Sequence, residues 1–549
     1  MNVTTRLTSP TTELVHELLK PRGFMGLSGP SHDHYYELIA KIEAAGEFAA
    51  VPYLATFAVN TTRSLRDRAA GAADKMLVPL TLDDLLVFDH SVRSGYYGTD
   101  DPHTKWFLIK PTQLSALSTN SDSGVALLGI LSFHGNGYVR EAALRMLARH
   151  NTGAELPFLL IRLNDWVPVV RSTARQSVND RMTTSYARAF AANLSLLQRL
   201  STWERTDHLT FLDSILEYLR KPECHTAVSE LLSSRNTKTR RHSFALLAQP
   251  NSKDFAPLLR RALADQDPTI RLWSIKQARK HLPDGELRTF AETAIIDKYS
   301  GVRSQAAYVF AEQLDGDSDS TMASLVMDRA SSLRSIGRYY LGKRIPTDFA
   351  VYYRDKLQSV TKEELAIAIR GLGEVGTASD ADQVKPFARH QDSKVRTAAI
   401  DALSKLDGDQ CVDLFVDAIG GGPPQVSKAA SLALTNRASL VNKERLWAMA
   451  GTTESVLTRK RILDILFEGS KWDGLIFAIA SSNDPVVEIA TRARAHITRW
   501  MHQFNRSSIQ PTPLQRERVL EALAAHGPAL EPSAPKLIRY CLGETSSSP

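Results

Sequence analysis

A single period, close to 31 residues, constrains this chain more than anything else in it. An aliphatic residue, an arginine, a small residue three places later and, in most copies, an apolar residue four beyond that recur together. They read Val139-Arg140 with Ala143 and Leu147, Val170-Arg171 with Ala174 and Val178, and Ile270-Arg271 with Ser274 and Ala278. The series continues at Val302-Arg303 with Ala306 and Phe310, Leu333-Arg334 with Gly337 and Leu341, and Val395-Arg396 with Ala399 and Leu403. Leu65-Arg66 with Ala69, and Arg240 with Ser243 and Leu247, belong to it as well. Successive arginines stand 31 apart from 140 to 171, 31 from 240 to 271, 32 to 303 and 31 to 334, and then 62 to 396 with the skipped position near Glu364. Degenerate members fall at Lys428, Arg459 and Glu488, and the 69 residues between Arg171 and Arg240 leave room for one long unit around Arg205. Internal repetition at such a period is the signature of a stacked solenoid.

About 31 residues accommodate two helices of roughly three turns each and two tight turns. First helices carry their own apolar stripe, as in Phe255, Leu258, Leu259 and Leu263. The turns before the second helices, Asp267-Pro268-Thr269 and Asp392-Ser393-Lys394, offer side-chain oxygens for the free N–H groups of a helix start, and Pro268 suits a first turn. The small residue lets the second helix approach a neighbour. One such pair cannot bury its apolar face alone, so neighbours must stack. The expected fold is all-α: a right-handed superhelical, armadillo-like solenoid of about a dozen helix pairs.

The Asp-x-x-Val-Arg turn followed by Ala-Ala and Leu resembles the HEAT repeat, in the short variety of phycobilisome-lyase-type HEAT-like proteins. The resemblance spans about residues 31–505. It implies a scaffold-like architecture and an internal, structural role for the repeated arginines, through Asp267–Arg271 and Asp392–Arg396 bridges at the helix starts. Lys428 and Glu488 then replace the arginine, and Ile462 the small residue.

Outside the solenoid, residues 1–30 read as a loose N-terminal arm with a short helical stretch from Glu13 to Lys20. Residues 506–549 read as a capping helix over Pro511 to Leu523 and a disordered tail. A surplus of twelve residues between Arg66 and Arg140 places a loop insertion near 95–110, bearing Tyr96 and Tyr97 ahead of Trp106-Phe107. No apolar run approaches a membrane span, and Met1 to Pro10 lacks the order of a signal peptide. Three scattered cysteines, Cys224, Cys411 and Cys541, have no zinc or disulfide spacing and fit reduced thiols in a cytoplasmic protein.

Charge is concentrated. Residues 235–281 hold eleven Lys and Arg against three acids, a local +8 that exceeds the +7 of the whole chain. On the Arg271 helix, Trp273, Lys276 and Lys280 share a face, and Trp273 departs from the Ala142, Thr173, Gln305 and Ala398 of other units. With Lys238 and Arg241 they form a candidate surface for an acidic protein or a phosphate backbone. A second basic face sets Arg492, Arg499 and Arg506 opposite an Ile489, Ala493, Ile497, Trp500 stripe. Tyr96 and Tyr97 complete the set of candidate partner contacts.

Chemistry is poorly represented. There is no Gly-rich phosphate loop, nucleophile elbow or HExxH, and His32-Asp33-His34 with Glu37 reads as a capped helix start rather than a metal cluster. No cofactor is implied. The expectation is a non-enzymatic scaffold with a protein partner. A nucleic-acid-binding solenoid using residues 235–281 is the first alternative, and a lyase- or DNA-glycosylase-like enzyme, for which Asp165-Trp166 is the slender pointer, is the second.

Overall fold

The computed structural model describes residues 7–20, 30–77, 80, 82–93, 101–117, 124–203, 208–313, 318–359, 361–504 and 507–544. All regular structure among them is helical. The chain divides into two units, residues 1–281 and 282–549.

In the second unit the helices alternate as the period requires. Asp319–Val326 packs on Ser331–Arg344, Phe349–Ser359 on Lys362–Val375, Val412–Gly421 on Pro424–Thr435, and Lys443–Thr452 on Val456–Phe467. The second helices also touch one another in series, from Ser300–Glu312 through Ser331–Arg344, Lys362–Val375, Ser393–Leu406 and Pro424–Thr435 to Val456–Phe467. This is a solenoid: each pair contacts its neighbours along the chain and buries its stripe against them.

The first unit follows the same plan at Val51–Ala58 with Arg63–Leu77, Val125–Leu131 with Gly137–Leu147, Leu156–Arg162 with Pro168–Asn179, and Phe255–Leu263 with Pro268–His281. Between Asn179 and Thr237 it is less regular, with short helices Ala187–Ala192 and Leu194–Arg199 followed by Leu209–Leu219.

The turn chemistry is as expected. Asp267 Oδ1 accepts from the backbone N–H of Thr269 (2.8 Å) and Ile270 (3.1 Å), and Asp392 Oδ1 from that of Lys394 (2.7 Å). The small residues are packed: Ala306 and Ala399 are fully buried. At Gly337 the close approach is to the first helix of its own pair. A Cβ there would stand 2.7 Å from the Met322 carbonyl oxygen and 2.9 Å from the Val326 nitrogen.

Burial corrects the register late in the chain. Ser427 is fully buried and Lys428 exposed, and Ala490 is buried where Glu488 is exposed. Ser427 and Ala490 therefore occupy the arginine position, 31 residues after Arg396 and Arg459 respectively. At both positions the replacement is a small side chain.

The ends also differ from expectation. Within the predicted loose arm, helix Ser9–Leu18 packs on His32–Ala45 and buries Val15 and Leu18. The terminal cap is two helices, Pro513–His526 and Ser533–Cys541, with Val519 and Ile538 fully buried. The indole of Trp472 donates to the Ile509 carbonyl (3.0 Å), tying this cap to the last pair. The expected tail from Ser546 lies outside the described residues. In the insertion, Trp106 is buried with its ring 4.8 Å from that of His134, so this aromatic packs back onto the solenoid. Tyr96 and Tyr97 lie outside the described residues.

Candidate partner-binding surface

The repeated arginines are the most conspicuous polar groups of the sequence, and they face inward. Arg140 makes a two-pronged contact with Asp165, Nε to Oδ2 at 2.9 Å and Nη2 to Oδ1 at 2.7 Å, while its Nη1 donates to the carbonyls of His134 and Gly135. Arg240 treats Asp265 and Ser234 in the same way, and Arg303 treats Asp328, Asp297 and Lys298. The acid lies 25 residues on, in the turn of the next pair, and it also accepts from the backbone N–H two residues later: Val167, Asp267 and Ala330. Arg459 reaches Asp484 over the same interval.

These contacts correct the expected bridges. Asp392 caps its own helix, and Arg396, 25 residues before Gly421, makes no ion pair among the described residues and donates to the His390 and Gln391 carbonyls. Asp267 pairs with Arg241 of the preceding second helix. The guanidinium fork thus links one turn to the next, satisfying carbonyls on one side and a carboxylate on the other.

Asp165 sits at the densest point of this network. Its side chain is fully buried and meets Arg93 (3.1 Å), Arg140 and Arg162 (3.1 Å), while Arg93 and Arg162 also hold Asp89. Burial pushes the Asp89 carboxyl up despite the Arg162 beside it. Both oxygens of Asp165 are occupied by donors. Trp166, next to it, is 61% exposed.

The basic segment is less free than its composition suggests. Arg240 and Arg241 are paired with Asp265 and Asp267, and Arg261 donates to Ser233. Trp273 does not stand out among the lysines as expected. It is half-buried against the cluster of Leu232, Phe244, Ala262 and Ile270, with its ring 6.2 Å from Phe244. Phe244, on the preceding second helix Thr237–Leu247, is the ring it meets. Lys238, Lys276 and Lys280 are exposed and in no ion pair among the described residues. On the Val487–Gln503 helix the expected core stripe is buried, but the basic face is partly neutralised: Arg492 pairs with Asp464 and Arg499 with Glu468 (3.7 Å). His496 lies between them, held down to about 4 by burial and the nearby Arg499. Arg506 lies outside the described residues.

Two adjacent turns of the first unit also leave apolar side chains exposed. Tyr138 is 74% exposed and Val169 48%. Each stands two residues before its arginine, at the start of second helices Gly137–Leu147 and Pro168–Asn179, which pack side by side. The Val167 side chain reaches the turn at Gly137, where a Cβ would meet it at 3.1 Å. Tyr138, Val169 and the exposed Trp166 thus form an apolar edge across two adjacent turns.

Beside that edge lies a groove of about 190 Å³ lined by Leu163, Pro168, Arg171, Ser172, Arg175, His208 and Phe211. Arg171 Nη1 donates to the Asp165 carbonyl at 2.6 Å, and the Arg175 guanidinium lies 4.7 Å over the Phe211 ring. Neither is in an ion pair among the described residues.

Residues 355–435 match the family described as HEAT repeats. This part of the chain is a run of HEAT repeats. No curated protein matches the sequence. Among solved structures, the S. pombe condensin Cnd3-Cnd2 subcomplex is similar at 15% identity and a TM-score of 0.35, over 94% of this chain and 80% of that one. Importin beta is similar at 11% identity and 0.33, over 98% and 80%. The C-terminal fragment of the Chaetomium thermophilum cohesin loader SCC2 is similar at 12% identity and 0.31, and there the match spans 86% of this chain but only 43% of the other.

Periodicity exposed the HEAT units but not this surface. The spacing of Tyr138 and Val169, 31 residues apart like the arginines that follow them, was the available signal for the apolar edge. The groove had none, because Phe211 and His208 belong to the irregular segment where the period lapses.

Proposed function

We propose that the chain is a non-enzymatic HEAT-repeat scaffold that docks a protein partner on the first unit. The observation that carries this reading is the edge of Tyr138, Trp166 and Val169: large apolar side chains clustered in the open favour a protein interface. The inward placement of the ladder arginines supports it further, because Arg140, Arg240 and Arg303 are consumed by the stack and contribute little to an external field. The buried, triply bonded Asp165 weighs against a glycosylase-like enzyme. Among the described residues no three His, Cys, Asp or Glu side chains gather to hold a metal. No described helix is long and apolar enough to cross a membrane. The free thiols of Cys224 and Cys411, buried and pushed up by that burial, support a reducing, cytoplasmic setting.

The second reading, nucleic-acid binding, rests on Lys238, Lys276 and Lys280. Affinity purification of the full chain from its host, with mass spectrometry, tests the first. A protein partner should be recovered with wild type and lost with Tyr138→Glu and Trp166→Glu. A parallel salt titration uses random duplex DNA. Each phosphate contact contributes a slope near −0.9 in log affinity against log salt. Tight binding at about 0.15 M salt, with a slope flattened by removing Lys276 and Lys280, would replace the scaffold reading with the nucleic-acid one.

A further inference from the structure

We propose that the groove between the Pro168–Asn179 and Leu209–Leu219 helices is a receptor site for an acidic residue next to an aromatic or aliphatic one on a protein partner. The proposal rests on the protein-docking reading above and gives that surface a ligand chemistry.

Arg171 and Arg175 stand four apart, so their side chains emerge on one face of the helix. Two like charges at that spacing repel, and a folded chain ordinarily offsets them with an acid. In this unit Arg140 has Asp165 and Arg240 has Asp265, whereas Arg66 directs its donors to the Ala58 and Thr61 carbonyls and has no second arginine one turn on. Arg171 and Arg175 have no acid among the described residues, and no carboxylate is among the described residues that line the groove. Arg171 spends Nη1 on the Asp165 carbonyl, which anchors the head and leaves its remaining donors directed elsewhere. Arg175 is exposed, and the Phe211 ring beneath it holds its guanidinium plane. An arginine laid on an aromatic ring has its fork pre-oriented for a carboxylate. Ser172 lines the groove with its hydroxyl donated to the Val169 carbonyl (3.0 Å), and His208 lies buried at the wall, its ring nitrogen 3.3 Å from the Asn164 side-chain oxygen.

The rest of the lining is apolar: Leu163, Pro168 and Phe211. Its volume of about 190 Å³ leaves room for a carboxylate and part of a neighbouring side chain. A free phosphate would use the arginines and leave the apolar wall idle. An acidic-apolar pair uses both. The exposed Trp166, in the turn that joins Leu163 to Pro168, extends the apolar wall outward.

The test is selection from a display library of random dodecapeptides on the full-length chain, followed by affinity measurement of recovered peptides by fluorescence anisotropy. The expected consensus places Asp or Glu within two residues of Phe, Tyr, Trp, Leu or Ile. Binding should fall at least tenfold on Arg171→Gln/Arg175→Gln, and hold on Lys276→Gln/Lys280→Gln. Ser172→Glu places an acid against the two arginines from an exposed position, and should weaken the same peptides without lowering the melting temperature; it keeps the test decisive if the double variant unfolds. Recovered peptides indifferent to both variants would overturn the groove while leaving a protein-docking scaffold. A consensus without acids, or no enrichment, would overturn it as well. If the double variant instead weakens random duplex DNA, the arginines meet phosphates and the proposal falls.

Discussion

Replacing one glycine by alanine should have opposite effects at two places in this chain, and the difference follows from what a single methyl group would meet. At Gly337 the added carbon would lie 2.7 Å from the Met322 oxygen, 2.9 Å from the Val326 nitrogen and 3.0 Å from the Leu325 carbonyl carbon. All three are backbone atoms of the Asp319–Val326 helix, so no rotamer change relieves them. Carbon and oxygen rest comfortably near 3.3 Å or beyond, so the two helices must part by about half an ångström or more. Overpacking of that kind costs about 2–3 kcal/mol, offset by about 1 kcal/mol of helix propensity. The net loss is about 1–2 kcal/mol, which for a unit of this size lowers the melting temperature by roughly 2–8 °C. At Gly71, inside the Arg63–Leu77 helix, nothing lies within 4 Å of the same carbon. There only the propensity term remains, and Gly71→Ala should stabilise by about 0.5–1 kcal/mol. Calorimetry of both variants gives the two signs. Because long repeat arrays need not melt in one step, hydrogen exchange over 319–344 should be read alongside, and it should quicken in Gly337→Ala alone. A Gly337→Ala protein that melts at or above wild type, with unchanged exchange, would refute the packing argument.

Other outcomes follow from the same contacts. Ala399→Leu, at a fully buried site between second helices, should cost roughly 1–3 kcal/mol, read as a lower midpoint in urea. Asp165→Ala strands Arg140 without its acid, leaves Arg162 with Asp89 alone, and should destabilise by about 3–5 kcal/mol, whereas Arg241→Ala, at an exposed pair, should change stability by under about 1 kcal/mol; equal melts for the two would show that burial does not set the strength of these pairs. His496 titrates at about 4 when folded against an ordinary 6.5, so the unfolded chain takes up its proton first as pH falls. Its contribution is full above pH 6.5 and is lost on descending towards pH 4, by about 1–3 kcal/mol after allowing for its partial exposure. His496→Phe should flatten the fall in melting temperature between pH 7 and 5, and an unaltered slope would place that acid sensitivity elsewhere.

The sequence by itself determined the repeat, the helical class and the turn chemistry, because those depend on neighbours within one unit. An aliphatic residue, an arginine and a small residue at fixed offsets place three faces of one helix, and Asp392 caps the N–H groups it immediately precedes. Tertiary structure decided where the charges go. Arg140 finds Asp165 across 25 residues, and a rule read along one helix favours the acid four residues away instead. The same cause puts Lys428 and Glu488 outside the ladder: the inward position belongs to whichever side chain faces the stack, Ser427 and Ala490. Trp273 followed suit, since helical spacing alone places it with the lysines and only the neighbouring helix, which carries Phe244, half-buries it. Arg171 and Arg175, on the Pro168–Asn179 helix, show the reverse. Arg171 reads like the other ladder arginines, and only the packed structure reveals that it and Arg175 stand without an acid among the described residues, beside an apolar wall supplied by the segment where the period fails.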